Sequence, residues 1–220
     1  GLIKIQTDEG EREMSVSWIN VDPNLNNANS YSQVTAHEFG HNLGLQHAKG
    51  LECGLSTTEI IGVRVNCKTI EYGDPFDGMG HPFTGYFNLI HKEELGWLEF
   101  PDTLEVTKTG IYRIEPIETL SNRIKGLKIK AGTTTDGRGR LLDRYYYLEY
   151  RRPIGFDGVL YNYLVNRYDL IDTSIYDGAL IHTNTNANVF ALKGSYLLDM
   201  SPHITTGEDL EAEENQIIDR

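Results

Sequence analysis

The chain has 220 residues, of which 39% are hydrophobic and 24% are charged, a balance that is typical of a globular rather than a disordered protein. Its formal net charge of −12 argues against a nucleic-acid partner, because an acidic surface repels phosphate backbones. No apolar run approaches the roughly 18 residues that a membrane-spanning helix needs, so no membrane span is expected.

The first predicted elements lead into a helix. Residues 15–20 alternate like a strand, and the Asn-rich residues 21–30 are typical of a loop. Ser30 and Gln33 have the spacing of a capping box, which predicts that a helix begins there. The helix should end at Gly44, because glycine tolerates the left-handed conformation that ends many helices.

This predicted helix carries the sequence HEFGHNLGLQH, which matches the metal-binding pattern HExxHxxGxxH. His37 and His41 are four residues apart, so both imidazoles lie on one helix face and can reach one ion. Gly44 allows a sharp turn that brings His47 back as a third ligand. Three protein ligands leave a position for water, which is the arrangement of a catalytic rather than a structural zinc site.

The same pattern predicts a catalytic base. Glu38 lies beside the face of the helical histidines, close to the expected position of a zinc-bound water. Zinc lowers the pKa of water from about 15.7 towards 7 and polarises a peptide carbonyl. Glu38 is then expected to take a proton from the water and to pass it to the leaving amine, so the pattern predicts hydrolysis of peptide bonds.

The two cysteines, Cys53 and Cys67, allow a disulfide, a metal site or two free thiols. A metal site is disfavoured because no further ligands have the usual short spacing. A disulfide is therefore predicted, and it would stabilise the fold by roughly 3 kcal/mol through loop closure. It would also imply an oxidising compartment. Residues 60–65, between the cysteines, are a short strand candidate.

A Gly-, Pro- and Asp-rich turn follows at residues 72–80 and contains Met79, 32 residues after His47. A methionine in such a turn, downstream of the zinc pattern, resembles the Met-turn of metzincins, in which a methionine underlies the zinc-binding histidines. Asp74 and Asp77 are candidate calcium ligands, but the sequence lacks the dense spacing of oxygen ligands found in an EF-hand loop, so a role in the turn is favoured. Their carboxylates are also candidates for hydrogen bonds to the ligand histidines.

The rest of the chain predicts one more helix and then strands. Residues 85–98 form an amphipathic helix pattern that ends near Gly96. After Pro101 the pattern changes to short β-rich runs separated by glycine and polar turns, which predicts a β-sandwich-like module. The strand candidates are residues 103–117, 126–131, 144–152, 178–183 and 194–200. The predicted fold class is α+β, with a catalytic domain over residues 1–100 and a β-rich domain over residues 101–220.

Three strings, HEFGHNLGLQHA, EYGDPFDGMG and KEELGWL, together resemble the gametolysin family of metzincin peptidases. The residue after His47 is Ala48, where better-known metzincin families typically carry Glu, Asp, Ser or Pro. In the second half, YYYLEYRRPIGFD, GALIH and YLLDMSP are similar to the β-rich region of gametolysins and of immune-inhibitor-A-like peptidases. The resemblance covers about residues 30–202.

The resemblance implies a secreted, zinc-dependent endopeptidase that acts on extracellular or cell-wall proteins. The residues that carry over are His37, His41 and His47 as zinc ligands, Glu38 as base and Met79 beneath the site. Metzincins normally place a longer twisted sheet before the zinc helix, whereas only 36 residues precede His37 here, so the N-terminal sheet is expected to be shortened. The competing hypothesis is an inactive protease remnant whose β-rich half binds an extracellular polymer.

Further candidates follow the Met-turn. His81 lies two residues after Met79, where some metzincins carry a tyrosine near the zinc, and it is a candidate fifth ligand or oxyanion donor. Tyr86 is a second oxyanion candidate. Phe83 and Tyr86 are candidates for the wall of the S1′ pocket, which metzincins build in this segment.

Overall fold

A computed structural model describes residues 2–19, 28–54, 67–81, 85–98, 101–159, 178–186 and 193–200. The fold is mixed α+β and rich in sheet, as the sequence predicts at this level. In chain order, the elements are β1 (Leu2–Thr7), β2 (Gly10–Ser15), α1 (Ala28–Asn42), β3 (Ala48–Glu52), β4 (Lys68–Ile70), α2 (Leu89–Glu94), β5 (Thr103–Val106), β6 (Gly126–Thr135), β7 (Leu141–Tyr150), β8 (Ala179–Thr185) and β9 (Lys193–Leu198).

Seven strands form one mixed sheet in the order β4-β3-β9-β8-β7-β6-β5. The β3–β9 and β5–β6 pairs are parallel, and the other four pairs are antiparallel. Strands from both sides of residue 100 therefore share this sheet, whereas the sequence predicted a separate sandwich-like domain after residue 100. The metzincin catalytic domain and the division at residue 100 stay predictions.

The helix α1 begins at Ala28, two residues before the predicted cap, so Ser30 lies within its first turn. Its predicted end is confirmed, since Gly44 has a φ of +98° two residues after the helix. The predicted helix over residues 85–98 is shorter than expected. It spans Leu89–Glu94. Its start is set by the Asn88 side chain, which accepts a hydrogen bond from the backbone N–H of His91 and so caps the helix.

The N-terminal strand prediction is wrong in its position. Residues 16–19 are not in a strand; instead β1 and β2 form an antiparallel hairpin in which Thr7 pairs with Gly10. The strands predicted after Pro101 are confirmed in existence, although β5 covers only Thr103–Val106 of the longer candidate. The strand candidate at residues 60–65 lies outside the described residues. No helix within the described ranges is long and apolar enough to cross a membrane.

The predicted disulfide between Cys53 and Cys67 is present. It lies one register step beyond the Glu52–Lys68 pair of the β3–β4 hairpin. Both cysteines are buried in a cluster with Leu51, Tyr196 and Leu198. The disulfide therefore closes one end of a hairpin whose other end leads to His47, directly before β3, and to Glu71, directly after β4.

Replacing both cysteines with alanine is expected to lower the free energy of unfolding by about 3 kcal/mol, because the unfolded chain regains the closure entropy of this loop. Denaturant-induced unfolding of the metal-free variant and wild type would measure the difference. Wild-type protein under reducing conditions should match the variant. Equal stability of variant and oxidised wild type would contradict the structural role.

Candidate metal centre

The helix α1 and the turn after it bring three histidines together, as the sequence predicts. His37 and His41 lie one helical turn apart on α1. The positive φ of Gly44 and a hydrogen bond from the backbone N–H of Leu45 to the carbonyl of Gly40 reverse the chain, so that His47 returns to the same place. One ring nitrogen from each histidine lies within 4.8 Å of the other two. These residues could together hold a metal ion.

Hydrogen bonds fix the tautomer and orientation of the two helical imidazoles. The Nδ1 of His37 lies 3.0 Å from the carbonyl oxygen of Gly78, and the Nδ1 of His41 lies 2.9 Å from the carbonyl oxygen of Leu45. A carbonyl oxygen can only accept, so both Nδ1 atoms carry the proton and donate it. Each Nε2 is therefore left with a lone pair, which is the form that binds a metal.

The third histidine is oriented by a carboxylate. The Nδ1 of His47 lies 2.5 Å from Oε1 of Glu71 and donates to it. The lone pairs on the Nε2 atoms of His41 and His47 then face each other across only 3.1 Å. Two lone pairs repel at this distance, and the repulsion is removed when one of the two nitrogens is protonated or when both bind a cation. A tetrahedral zinc with Zn–N bonds of about 2.0–2.1 Å separates its ligand nitrogens by about 3.3 Å, so the separation of these two nitrogens is close to that of two ligands of such an ion.

Electrostatics also favour a neutral imidazole at His37. Burial lowers the pKa of His37, and the nearby His41 and His47 lower it further, against the opposing effects of the Gly78 hydrogen bond and Glu38. A histidine must be neutral to bind a metal, so this environment removes a proton that would compete with the ion.

Glu38 follows His37 on α1 and is half-buried. Its backbone carbonyl accepts a hydrogen bond of 3.2 Å from the Ser17 hydroxyl, which connects the helix to the segment after β2. Burial raises the pKa of Tyr72, and the negative charges of Glu71 and Glu38 raise it further. At His37, the charge of Glu38 opposes the lowering of the pKa by burial. Its role as catalytic base stays a prediction.

Met79 is fully buried, and its sulfur packs directly against Gly40 on α1, between the two helical histidines. A Cβ at position 40 would overlap this sulfur, which explains a glycine inside a helix, where it costs about 1 kcal/mol relative to alanine. The carbonyl oxygen of Met79 accepts a hydrogen bond of 3.0 Å from the backbone N–H of Ala48. Met79 thus supports both the zinc-pattern helix and the strand that follows His47.

The carboxylates of Asp74 and Asp77 are occupied by N–H donors. Asp77 accepts hydrogen bonds from the backbone N–H groups of Met79 and Asn88 and from Nδ1 of His91. Asp74 accepts from the backbone N–H of Phe76, from the Asn88 side chain and from Nε2 of His182. Their partners are therefore not the three clustered histidines, and the turn role is supported over calcium binding.

The buried pair of Asp77 and His91 is expected to make stability depend on pH. Burial opposes the charge on each group, but their mutual attraction and hydrogen bond hold the pKa of Asp77 below 3.8 and that of His91 above 6.5. The stability that the charged His91 contributes is therefore complete below pH 6.5 and is lost as the pH rises through its raised pKa. The stability that the charged Asp77 contributes is present above pH 3.8 and is lost as the pH falls through its lowered pKa.

Urea unfolding of the metal-free protein would test this dependence. We expect the unfolding midpoint of wild type to fall as the pH rises above 6.5, and the fall to be shallower in the His91→Gln variant. The buried His182, whose pKa is also raised, should account for part of the slope that remains. Identical slopes in wild type and variant would contradict a charged His91.

Two other predicted site residues, His81 and Tyr86, are described by the structure. His81 is exposed, and its backbone N–H donates to the carbonyl oxygen of Tyr72 over 2.9 Å. Tyr86 packs its ring 5.4 Å from that of Phe156, and its hydroxyl lies against Gly155. Phe83 lies outside the described residues. The oxyanion, fifth-ligand and S1′ assignments of these three residues stay predictions.

Two residues beside the histidines were not singled out from the sequence. Glu71 contacts His47, as described above, and Tyr72 places its ring 3.9 Å from that of His47 and 5.9 Å from that of His37. Tyr72 has a φ of +59°, which is rare for a bulky residue. Both belong to the string EYGDPFDGMG, which begins one residue before the predicted turn and contains it, and this position was the available signal.

Comparison of the chain with known proteins finds no matching family model, no matching curated protein and no matching solved structure. The likeness to metzincins and gametolysins therefore rests on the residues quoted above and on the three-histidine cluster.

Proposed function

We propose that the chain is a zinc-dependent endopeptidase of the metzincin type. The observation that carries the proposal is the convergence of His37, His41 and His47, whose ring nitrogens lie within 4.8 Å of one another, with Glu38 next to the first of them on the same helix. The donor set supports zinc, because three imidazoles are a common ligand set of catalytic zinc sites. Met79, packed beneath the helix, supports the metzincin assignment.

When bound, zinc would supply a Lewis acid that activates water and polarises a carbonyl near neutral pH. The chain's own residues hold the three imidazoles in the metal-binding tautomer through Gly78, Leu45 and Glu71. Glu38 would accept the proton of the attacking water and deliver it to the leaving amine. Each role requires a peptide carbonyl to reach the metal ion held by the three histidines.

The proposed setting is extracellular. The Cys53–Cys67 disulfide supports it, because disulfides persist in oxidising compartments. The proposed substrates are extracellular or cell-wall proteins, as the resemblance to gametolysins implies.

A protease assay would test the proposal. The purified chain, loaded with zinc, should cleave an unfolded protein such as reduced casein; a chelator should abolish the cleavage, and added zinc should restore it. The Glu38→Ala variant should bind zinc but leave the substrate intact. Absence of chelator-sensitive cleavage by the zinc-loaded chain would refute the enzyme and favour the alternative, an inactive remnant that binds an extracellular polymer.

A further inference from the structure

The three imidazoles of the cluster are held in unequal ways. His37 and His41 donate to backbone carbonyls, those of Gly78 and Leu45, which belong to turns packed around Met79. His47 instead donates to a side chain, Glu71, over 2.5 Å. His47 is therefore the one histidine of the three whose hydrogen-bond acceptor, the Glu71 carboxylate, can be removed by a point substitution.

Glu71 is itself held in place. Its second carboxylate oxygen, Oε2, lies 3.1 Å from the ammonium nitrogen of Lys49 on β3. The two oxygens thus have separate partners, one on each side of the carboxylate. Because β4 precedes Glu71 and pairs with β3, the hairpin brings Glu71, Lys49 and His47 to the same end of the sheet.

Tyr72 completes the surroundings of the third ligand. Its ring is tilted by 35° to that of His47, at a centroid separation of 3.9 Å. The left-handed backbone conformation of Tyr72 directs its ring towards His47. The carbonyl oxygen of Tyr72 accepts a hydrogen bond from the backbone N–H of His81. The His47 imidazole is therefore limited in rotation by Glu71 at its Nδ1 and by Tyr72 on one face.

We propose that Glu71, oriented by Lys49, is a positioning residue for His47 and sets the affinity of the cluster for zinc. The proposal rests on the zinc centre of the proposed function. Carboxylates that accept from a metal-bound histidine fix its tautomer and increase its basicity, and their removal typically weakens metal binding by about 10–100-fold. Glutamine at position 71 keeps an oxygen that can accept the hydrogen bond but loses the charge.

The test measures zinc affinity by competition with a chromogenic chelator in wild type and in the variants Glu71→Ala, Glu71→Gln and Glu52→Gln. Glu52 lies on β3 of the same hairpin and serves as the matched control. We expect Glu71→Ala to weaken zinc binding by about 10–100-fold, Glu71→Gln to weaken it less, and Glu52→Gln to leave it unchanged. The visible spectrum of the cobalt-loaded protein should change in Glu71→Ala, since the geometry of the third ligand changes.

Thermal unfolding of the metal-free proteins separates positioning from a structural role. The melting temperature of metal-free Glu71→Ala should stay close to that of wild type, because the Glu71 side chain is 50% exposed and exposed ion pairs contribute little to stability. Unchanged zinc affinity in Glu71→Ala would overturn the proposal while leaving the zinc centre in place. A loss of affinity matched by an equal loss of metal-free stability would also overturn it. Failure of wild type itself to bind zinc would refute the proposed function instead.

Discussion

Replacing Glu38 with glutamine is expected to lower kcat/KM for peptide cleavage by about 10²–10⁴-fold, the contribution that a positioned general acid or base typically makes. Glutamine has nearly the same shape as glutamate but cannot accept a proton. The change leaves in place the three histidines, the groups to which they donate (the carbonyls of Gly78 and Leu45 and the carboxylate of Glu71) and Met79. The chemical step should therefore be lost while the zinc centre remains.

Two measurements keep this result interpretable. Zinc content and affinity of Glu38→Gln should equal those of wild type, and its metal-free melting temperature should be unchanged. The Glu52→Gln variant, a glutamate on the neighbouring strand, should retain full activity. Activity of Glu38→Gln within about threefold of wild type would contradict the assignment of Glu38 as base, because the loss expected for a general base is about 10²-fold or more.

Replacing Arg151 with methionine is expected to lower the free energy of unfolding by about 3–5 kcal/mol, since it removes the partner of buried carboxylates. The guanidinium is only 2% exposed and lies 3.1 Å from Glu118, 3.1 Å from Glu149 and 3.3 Å from Asp157. These neighbours outweigh the burial and raise the pKa of Arg151, which stays charged. Glu149 and Asp157 would lose this cationic partner in the variant.

The same guanidinium connects the sheet to the region of the metal centre. It donates to the carbonyl oxygen of Phe76, within the turn that contains Met79, and to that of Tyr86 over 2.8 Å. Asp157 accepts a hydrogen bond of 2.8 Å from the backbone N–H of Tyr86. Loss of Arg151 should therefore weaken zinc binding as well as stability, because the turn supports the helix that carries His37.

Neighbouring residues supply matched controls for the Arg151 prediction. The adjacent Arg152 is exposed, so Arg152→Met should change stability by no more than about 0.5 kcal/mol. Burial, together with a hydrogen bond to Asp157, raises the pKa of Glu118 to about 8, so Glu118 is largely protonated at neutral pH. Glu118→Gln, which resembles that form, should therefore cost far less than Arg151→Met. If denaturant unfolding gave Arg151→Met the same small loss of unfolding free energy as these controls, the stabilising role of Arg151 would be contradicted.

Much of the secondary structure and of the three-histidine cluster follows from local patterns. The spacing of His37, His41 and His47 requires only a helix and a turn after it, and both are local, so the cluster could be predicted. The strands after Pro101 were predicted from β-rich runs between turns, but the order of the sheet was not. That order depends on pairings between distant segments, such as β3 with β9, that no local pattern encodes.

The residues that sequence reasoning missed depend on tertiary contacts. Arg151 and Arg152 look like an exposed basic pair, yet Tyr147, Glu149 and Arg151 alternate onto one buried side of the chain at β7. Gly40 looks like a variable position of the zinc pattern until the sulfur of Met79 is found against it. In both cases, the reason for the residue lies in a segment far away in the sequence.

The most direct test of the central claim is metal analysis of the purified chain combined with zinc X-ray absorption spectroscopy. We expect about one zinc per chain, with three imidazole nitrogens at about 2.0–2.1 Å and one further light atom, as in catalytic zinc sites. The His41→Ala variant should lose the metal. Absence of tight zinc binding in wild type, or equal zinc binding by His41→Ala, would contradict a centre formed by His37, His41 and His47.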